Sequence, residues 1–290
     1  MKSRLAPAKV NLFLHVGDKR AGGGYHDLLS LVVFANVGDR LSLAPSDRLS
    51  LIVRGAFPDI GPSGDNLVVK AVSALQAWAD KHGHKTKAVE LTLEKNLPIA
   101  SGMGGGSSDA AATLLMLSAY WGLPIAVDEL EALGLQLGAD VPVCLRVAAT
   151  LVSGVGEVLE PVDNLPPFAL VLANPRVEVP TAQVFKALTV RSGAIAPPRP
   201  AFASARDLAM YLDRTMNDLA APAKAIAPII MHVENALAAT DGCLTARMSG
   251  SGATCFGLYE TAAAAEAAAR AIAIAHPGWW VKAAASYAAA

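Results

Sequence analysis

Near the start of the chain Val10, Leu12, Leu14 and Val16 alternate with Asn11, Phe13 and His15. That period of two predicts a strand. Leu29 to Val37 and Leu49 to Val53 are further β-rich runs, bounded by Gly38-Asp39 and Gly55. Apolar residues then take helical spacing at Val68, Val72, Leu75 and Ala79, with Asp65-Asn66 suited to cap the start and Gly83 the end. Val89, Leu91 and Leu93 alternate with Glu90, Thr92 and Glu94, which predicts another strand. It runs straight into Asn96-Leu97-Pro98 and a glycine cluster. From Ala110 to Val127 eighteen residues carry no charge, close to a membrane-spanning length. Tyr120-Trp121-Gly122-Leu123-Pro124 stops a helix inside that run, so the pattern predicts a buried core helix of about four turns.

Asp128 to Leu137 reads as a short helix stopped by Gly138, and Val141 to Val152 as a strand. Glycines and prolines crowd Gly154 to Pro167, which marks a domain boundary. Beyond it the pattern predicts a strand over Phe168 to Ala173, a helix over Thr181 to Leu188 and a proline-rich loop over Ile195 to Pro200. A strand–loop–strand built on Ser249-Gly250-Ser251-Gly252 follows, and then an alanine-rich helix over 262–275. The expected fold is α+β, in two domains covering residues 1–157 and 158–290.

Composition narrows the class. With 53% hydrophobic and 17% charged residues in a chain of 290, intrinsic disorder is excluded. Lys and Arg total 24 against 25 Asp and Glu, a net charge of −1. That balance gives no electrostatic footing for nucleic acid and no polybasic anchor for a membrane. The cysteines, Cys144, Cys243 and Cys255, are far apart and odd in number, which fits a reducing compartment. Met1-Lys2-Ser3-Arg4 is positive, but Pro7, Lys9, Asn11 and His15 break the apolar run after it, so no secretory signal is read. A cytoplasmic protein is expected.

Candidate chemistry concentrates at Leu97-Pro98-Ile99-Ala100-Ser101-Gly102-Met103-Gly104-Gly105-Gly106-Ser107-Ser108-Asp109. Glycines here let the backbone aim successive N–H groups into one concavity. The loop opens onto a helix whose first N–H groups lack partners and whose dipole end is positive. The combination suits a di- or triphosphate, with Ser107 and Ser108 able to cap the helix or to reach a phosphate or its metal. The chain has no Gly-Lys pair, so this is not the common P-loop. Ser107 stands where a dinucleotide fingerprint needs a third glycine or alanine.

Other constellations stay open on their own residues. Lys9 and Asn11, two apart on a strand, share one face, either to hold a hydroxyl-bearing substrate or simply as a solvated face. Asp140, between Gly138 and Pro142 at an expected helix-to-strand junction, is either an acceptor for a hydroxyl proton or a turn residue. Ser249 to Gly252 is a hairpin turn, or a second place where backbone approaches a ligand. Tyr25 and His26 offer flat faces for stacking on a base, or are packing residues.

Together, Pro7-Ala8-Lys9-Val10-Asn11, Leu97 to Ala111 and Met248-Ser249-Gly250-Ser251-Gly252 resemble the three signature motifs of the GHMP kinases, which phosphorylate small-molecule alcohols with ATP. Gly24-Tyr25-His26 and Gly138-Ala139-Asp140-Val141-Pro142 narrow the resemblance to a member of the non-mevalonate isoprenoid pathway. That member phosphorylates the 2-hydroxyl of a cytidine-diphosphate-linked methylerythritol. The resemblance implies an N-terminal α/β domain and a C-terminal α+β domain with substrates in the cleft between. It implies that Pro98, Ile99, Ala100, Ser101, Gly102, Met103, Gly104, Gly105, Gly106, Ser107 and Ser108 wrap the ATP phosphates. Asp140 would take the proton of the alcohol with Lys9 beside it, and Asn11 would hold a substrate hydroxyl. Tyr25, His26 and Phe185 would embrace the cytosine. Mg2+ would accompany ATP, with no ligand selected by the sequence. In one departure, Gly22-Gly23-Gly24 makes the first loop a residue longer than the family's usual single glycine before Tyr-His.

Overall fold

Two long strands, β1 (Lys2–Lys19) and β2 (His26–Pro45), pair with each other. The computed structural model describes residues 2–20, 25–58 and 66–286; Gly22-Gly23-Gly24 and Asp65 lie outside them. β1 exceeds its predicted span at both ends and is buried from Ala6 to Val16 without interruption. Its polar positions are therefore not solvated: Lys9 is 4% exposed and Asn11 2%. A buried ammonium and amide must be held by polar neighbours, which already marks this strand as more than scaffold.

The chain divides into two compact units that do not follow a single cut. The first comprises Met1–Ala8, Val37–Ile99 and Gly104–Val147. In it β3 (Ser50–Gly55) runs parallel to β4 (Val89–Lys95), linked by the crossing helix α1 (Leu67–Lys81). Residues Arg40–Pro45 of β2 lie antiparallel on β4. Asn66 caps α1 by accepting the N–H of Val68 at 2.9 Å, as the sequence predicts. The uncharged run forms α2 (Gly105–Trp121), buried over Ser108 to Leu114 and again at Met116 and Leu117. From Ala110 onward the helix carries no charge on any face, which suits an interior position. Gly122, at φ 64°, ends it in the left-handed conformation.

Helices α3 (Val127–Leu137) and α4 (Val141–Arg146) follow and pack with α1 and α2. Here the expected strand over Val141 to Val152 is corrected. Its first half is α4, because Pro142 in the first turn is pre-set for a helix start. Val147 at φ 48° stops that helix, and the strand begins only at Thr150. The run of valines carries a β preference that the local backbone overrides.

The second unit comprises Lys9–Asn36, Ala100–Met103 and Ala148–Ala290, whereas the sequence reading cuts the chain once at 157/158. In this unit Leu28–Val32 of β2 pairs with β5 (Thr150–Gly154), and β5 with β6 (Val158–Pro161). Then come β7 (Ala169–Asn174), α5 (Thr181–Lys186), α6 (Ala205–Leu212), α7 (Ala220–Ile226), α8 (Ile229–Ala238), β8 (Thr245–Met248), β9 (Cys255–Tyr259), α9 (Ala262–Ala275) and β10 (Trp280–Ala285). Four of these strands form an antiparallel sheet in the order β10-β7-β9-β8, with α8 and α9 packed on it. That is a split βαβ arrangement of the ferredoxin-like kind. Val171, Ala173, Ile230, Val233, Leu237, Cys255, Ala268 and Ile272 belong to its core. The alanine-rich α9 buries one stripe, Ala265, Ala268 and Ile272, with Ala264 and Ala269 half-buried against the same core. Cys144 and Cys255 are buried and, like the half-buried Cys243, form no disulfide.

No helix among the described residues is long and apolar enough to cross a membrane.

Candidate active site

Within the second unit three motifs far apart in sequence are stitched together by short bonds. Lys9 Nζ donates to Asn11 Oδ1 at 3.1 Å, and Asn11 Nδ2 donates to Ser30 Oγ at 2.7 Å. Ser30 in turn donates to the carbonyl of Phe13 at 2.6 Å, so the amide's orientation is held from both sides. The main chain of the same strand reaches both loops. Lys9 N donates to Met103 O at 2.9 Å, and Asn11 N to Ser249 Oγ at 3.1 Å. Ser249 passes the interaction on, donating to Gly102 O at 3.1 Å, and Thr254 N donates to Ser101 O at 3.1 Å.

The two small-residue loops meet backbone to backbone. Gly102 has φ +73°, and a Cβ there would stand 2.4 Å from Ser249 O. Gly250 has φ +56°, and its Cβ would stand 2.7 Å from Gly102 O. Both positions therefore require glycine twice over, for conformation and for space. Asn217 fixes the second loop from outside, its Nδ2 donating to Met248 O at 2.9 Å and Gly250 O at 2.8 Å. The sequence offered no signal for that residue.

The chain leaves the first unit's β4 through Asn96 and Leu97, passes through Ala100–Met103 of the second unit, and returns to the first as α2. Positive φ at Ala100 (47°), Gly102 (73°) and Gly104 (61°) alternates along the intervening segment, the geometry of an anion-binding concavity. Gly104 starts the helix from the left-handed conformation. The N–H groups of Gly105, Gly106 and Ser107 occupy the first turn, where no acceptor exists within the helix. Of the two serines, Ser107 is half-exposed, while Ser108 is buried and donates to Pro7 O at 2.7 Å. Ser108 thus anchors the helix start to β1.

An ion cluster that the sequence reading did not find lies in the same unit. Lys95 donates to Asp39 and, at 2.9 Å, to Asp109 Oδ2. Burial alone would lower the Lys95 ammonium, but the two carboxylates outweigh it and raise it above its ordinary value. Burial pushes Asp109 up to about 7, with Lys95 opposing the rise and Asp39 adding to it.

Asp140 is half-exposed at the start of α4. It stands at a helix-to-helix junction rather than the expected helix-to-strand one. Close packing of α3 on α4 holds the junction: a Cβ on Gly134 would lie 3.0 Å from the Val141 side chain.

Among the aromatic candidates, the second unit brings His26 and Phe185 together as stacked rings, centroids 5.9 Å apart and planes at 21°. His26 Nδ1 lies 3.2 Å from Gly17 O, and since a carbonyl only accepts, that nitrogen carries the proton. In the neutral ring Nε2 is then an acceptor. Tyr25 is 66% exposed at the entry to β2, and its carbonyl accepts the N–H of Arg20 at 3.0 Å. The Arg20 side chain also pairs with Asp27 at 2.7 Å and Glu157 at 2.9 Å.

The first unit thus holds a strand and a helix joined through glycines, the second a buried Lys–Asn pair, and the comparisons give the class of the chain. The chain matches the model of the GHMP kinases N terminal domain over residues 66–146 and that of the GHMP kinases C terminal over residues 203–278. It is 51% identical over 285 residues to a 4-diphosphocytidyl-2-C-methyl-D-erythritol kinase of Cereibacter sphaeroides, covering 97% of this chain and 98% of the relative. A protein of the same name from Paramagnetospirillum magneticum is 50% identical, covering 95% of each. A crystal structure of 4-(cytidine 5'-diphospho)-2C-methyl-D-erythritol kinase superposes with a TM-score of 0.78 at 34% identity, covering 99% of this chain and 100% of that one. A homoserine kinase from Cytophaga hutchinsonii, at 20% identity and a TM-score of 0.65, shares the fold. The chain belongs to the GHMP kinases, and within them to the family of the 4-diphosphocytidyl-2-C-methyl-D-erythritol kinases.

Proposed function

We propose that this chain transfers the γ-phosphoryl group of ATP to the 2-hydroxyl of 4-diphosphocytidyl-2-C-methyl-D-erythritol, in isoprenoid precursor synthesis in the cytoplasm. The observation that carries the specific substrate is the stacked His26–Phe185 pair with its fixed His26 tautomer. An acceptor nitrogen and flat faces suit a pyrimidine base, and a homoserine or mevalonate site has no use for them.

In this reading the backbone of Pro98 to Ser108 cradles the phosphates, with the first turn of α2 facing them. The hydroxyl oxygen of the substrate attacks the γ-phosphorus, the bond to the ADP oxygen breaks, and the hydroxyl proton passes to the Asp140 carboxylate. Lys9 steadies charge developing on the transferring oxygens, and Asn11 orients a substrate hydroxyl. Tyr25, His26 and Phe185 hold the cytosine. Catalysis is then mainly positioning and electrostatics.

Among the described residues no group of three or more His, Cys, Asp or Glu side chains is set to hold a metal. In this reading Mg2+ arrives on ATP with phosphate and water ligands. The half-exposed Ser107 hydroxyl is the chain's own candidate ligand, and the ion would neutralise phosphate charge. The family domains are taken as 1–157 and 158–290, since the two matched models fall on either side of that cut.

The test is ADP release from Mg-ATP with the cytidylated alcohol, and with homoserine and mevalonate in parallel. Turnover with the first alone is expected. Turnover with another alcohol would discard the base clamp and keep the kinase. Silence with all three would discard the kinase reading.

A further inference from the structure

Asp39 of β2, Lys95 of β4 and Asp109 of α2 are 0%, 4% and 1% exposed, and each is tied to a different side of the glycine loop's foundation. Asp39 Oδ1 accepts the N–H groups of Asn96 at 2.6 Å and Leu97 at 2.9 Å, the residues on which the chain leaves β4. Its second oxygen takes Lys95. Lys95 then reaches Asp109, one turn inside α2, at 2.9 Å. A Cβ on Gly105 would stand 3.4 Å from Lys95 Nζ and 3.5 Å from Asp39 Oδ2. The cluster therefore lies directly under the first residue of the helix.

We propose that Asp39, Lys95 and Asp109 are positioning residues for the phosphate donor. They clamp the exit from β4 to the start of α2, so that the N–H groups of the loop are pre-aimed before ATP arrives. The inference rests on the assignment of Pro98 to Ser108 to the ATP phosphates.

Two physical points favour this over a role in stability alone. A buried ion cluster is often no more stabilising than apolar side chains of the same volume. Apolar residues here would fill the space but leave the Asn96 and Leu97 N–H groups without acceptors. A lysine, with three donors on one nitrogen, can bridge two elements at once. Two carboxylates face one ammonium, an excess of one negative charge that a proton on either carboxylate removes. Asp109 Oδ1 lacks a hydrogen-bond partner among the described residues, so this carboxylate is readily neutralised. A loop floor of that kind does not repel a polyphosphate as two free carboxylates would.

The test is steady-state kinetics of full-length Lys95→Met and Asp109→Asn in both substrates. Hydrogen exchange of the peptide spanning 96–107 is followed with and without Mg-ATP. Lys95→Met should raise KM for ATP tenfold or more, leave KM for the alcohol within twofold, and speed exchange in the 96–107 peptide. Asp109→Asn, which keeps shape and an acceptor oxygen, should raise KM for ATP about threefold with the same selectivity. It carries the test if Lys95→Met does not fold. An unchanged KM for ATP in folded variants, or an equal rise in both KM values, would overturn the inference. Wild-type protein whose 96–107 peptide gains no protection from Mg-ATP would remove the phosphate-loop assignment, and this inference with it.

Discussion

Adding a single methyl group at Gly102 measures how tightly the two small-residue loops are fitted. Gly102 sits at φ +73°, and the new Cβ would stand 2.4 Å from the Ser249 carbonyl oxygen and 2.9 Å from Gly252 N. Both neighbours are backbone and cannot rotate away. Left-handed backbone costs an L-residue about 1–2 kcal/mol, and forced overpacking about 1–3 kcal/mol more. Gly102→Ala should therefore lose roughly 2–5 kcal/mol of stability. Gly122→Ala is the control: its φ is +64° and nothing lies within 4 Å of a Cβ there. It should lose only the conformational part, about 1–2 kcal/mol. Relief at Gly102 means moving the loop, and misplacement of about 1 Å costs on the order of 100-fold in rate. Gly102→Ala should show that loss in kcat/KM for ATP, and Gly122→Ala should not. Urea unfolding and initial rates on the two variants provide the assay. Equal losses from both, in stability or in rate, would refute the close-approach argument.

Asp140→Asn should leave ATP binding, measured by calorimetry, nearly intact and cut turnover by orders of magnitude; near-normal turnover would remove Asp140 as proton acceptor. Phe185→Ala should raise KM for the cytidylated alcohol about 3- to 10-fold, since a stacked ring contributes about 0.5–1.5 kcal/mol beyond its buried area. KM for ATP should stay level, and a shift in both would place Phe185 outside the base site. Asp109, held up at about 7 against an ordinary 3.8, binds a proton in the folded chain that the unfolded chain releases between those values. Its contribution to stability is complete below the lower value and lost as pH rises through the upper. Unfolding free energies of wild type and Asp109→Asn, compared from pH 4 to 8, should therefore diverge by a few kcal/mol at about 1.4 kcal/mol per unit. Parallel curves would contradict the raised Asp109.

The elements legible in the sequence were those whose local preference and burial agree. The capped α1 and the alternating β4 read correctly from periodicity, α2 from the charge-free run that begins at Ala110, and α9 from helix propensity. The glycine loop and the Ser249–Gly252 loop were legible because only glycine satisfies both the left-handed backbone and the close approach. α4 was not, because valines at 141, 143 and 147 suggest a strand while Pro142 and the backbone at Val147 make a short helix. The burial of Lys9 and Asn11 was hidden too, since nothing in a two-residue spacing says that both faces of a strand are covered. The Asp39–Lys95–Asp109 cluster joins residues 56 and 14 apart. It has no spacing to recognise, and only the fold assembles it.

β2 runs for 20 residues without a break, and its early half pairs in one unit while its late half pairs in the other. Since Lys9–Asn36 is grouped with Ala148–Ala290, a chain emerging from its N-terminus must make these apolar strand segments well before most of their neighbours exist. Val10, Leu12, Leu31 and Val33, all sealed in the finished molecule, wait as uncovered β-prone sequence during that interval. Neither unit can be cut out as one continuous piece. A fragment ending after residue 157 would carry those segments permanently without their partners, and should aggregate rather than fold.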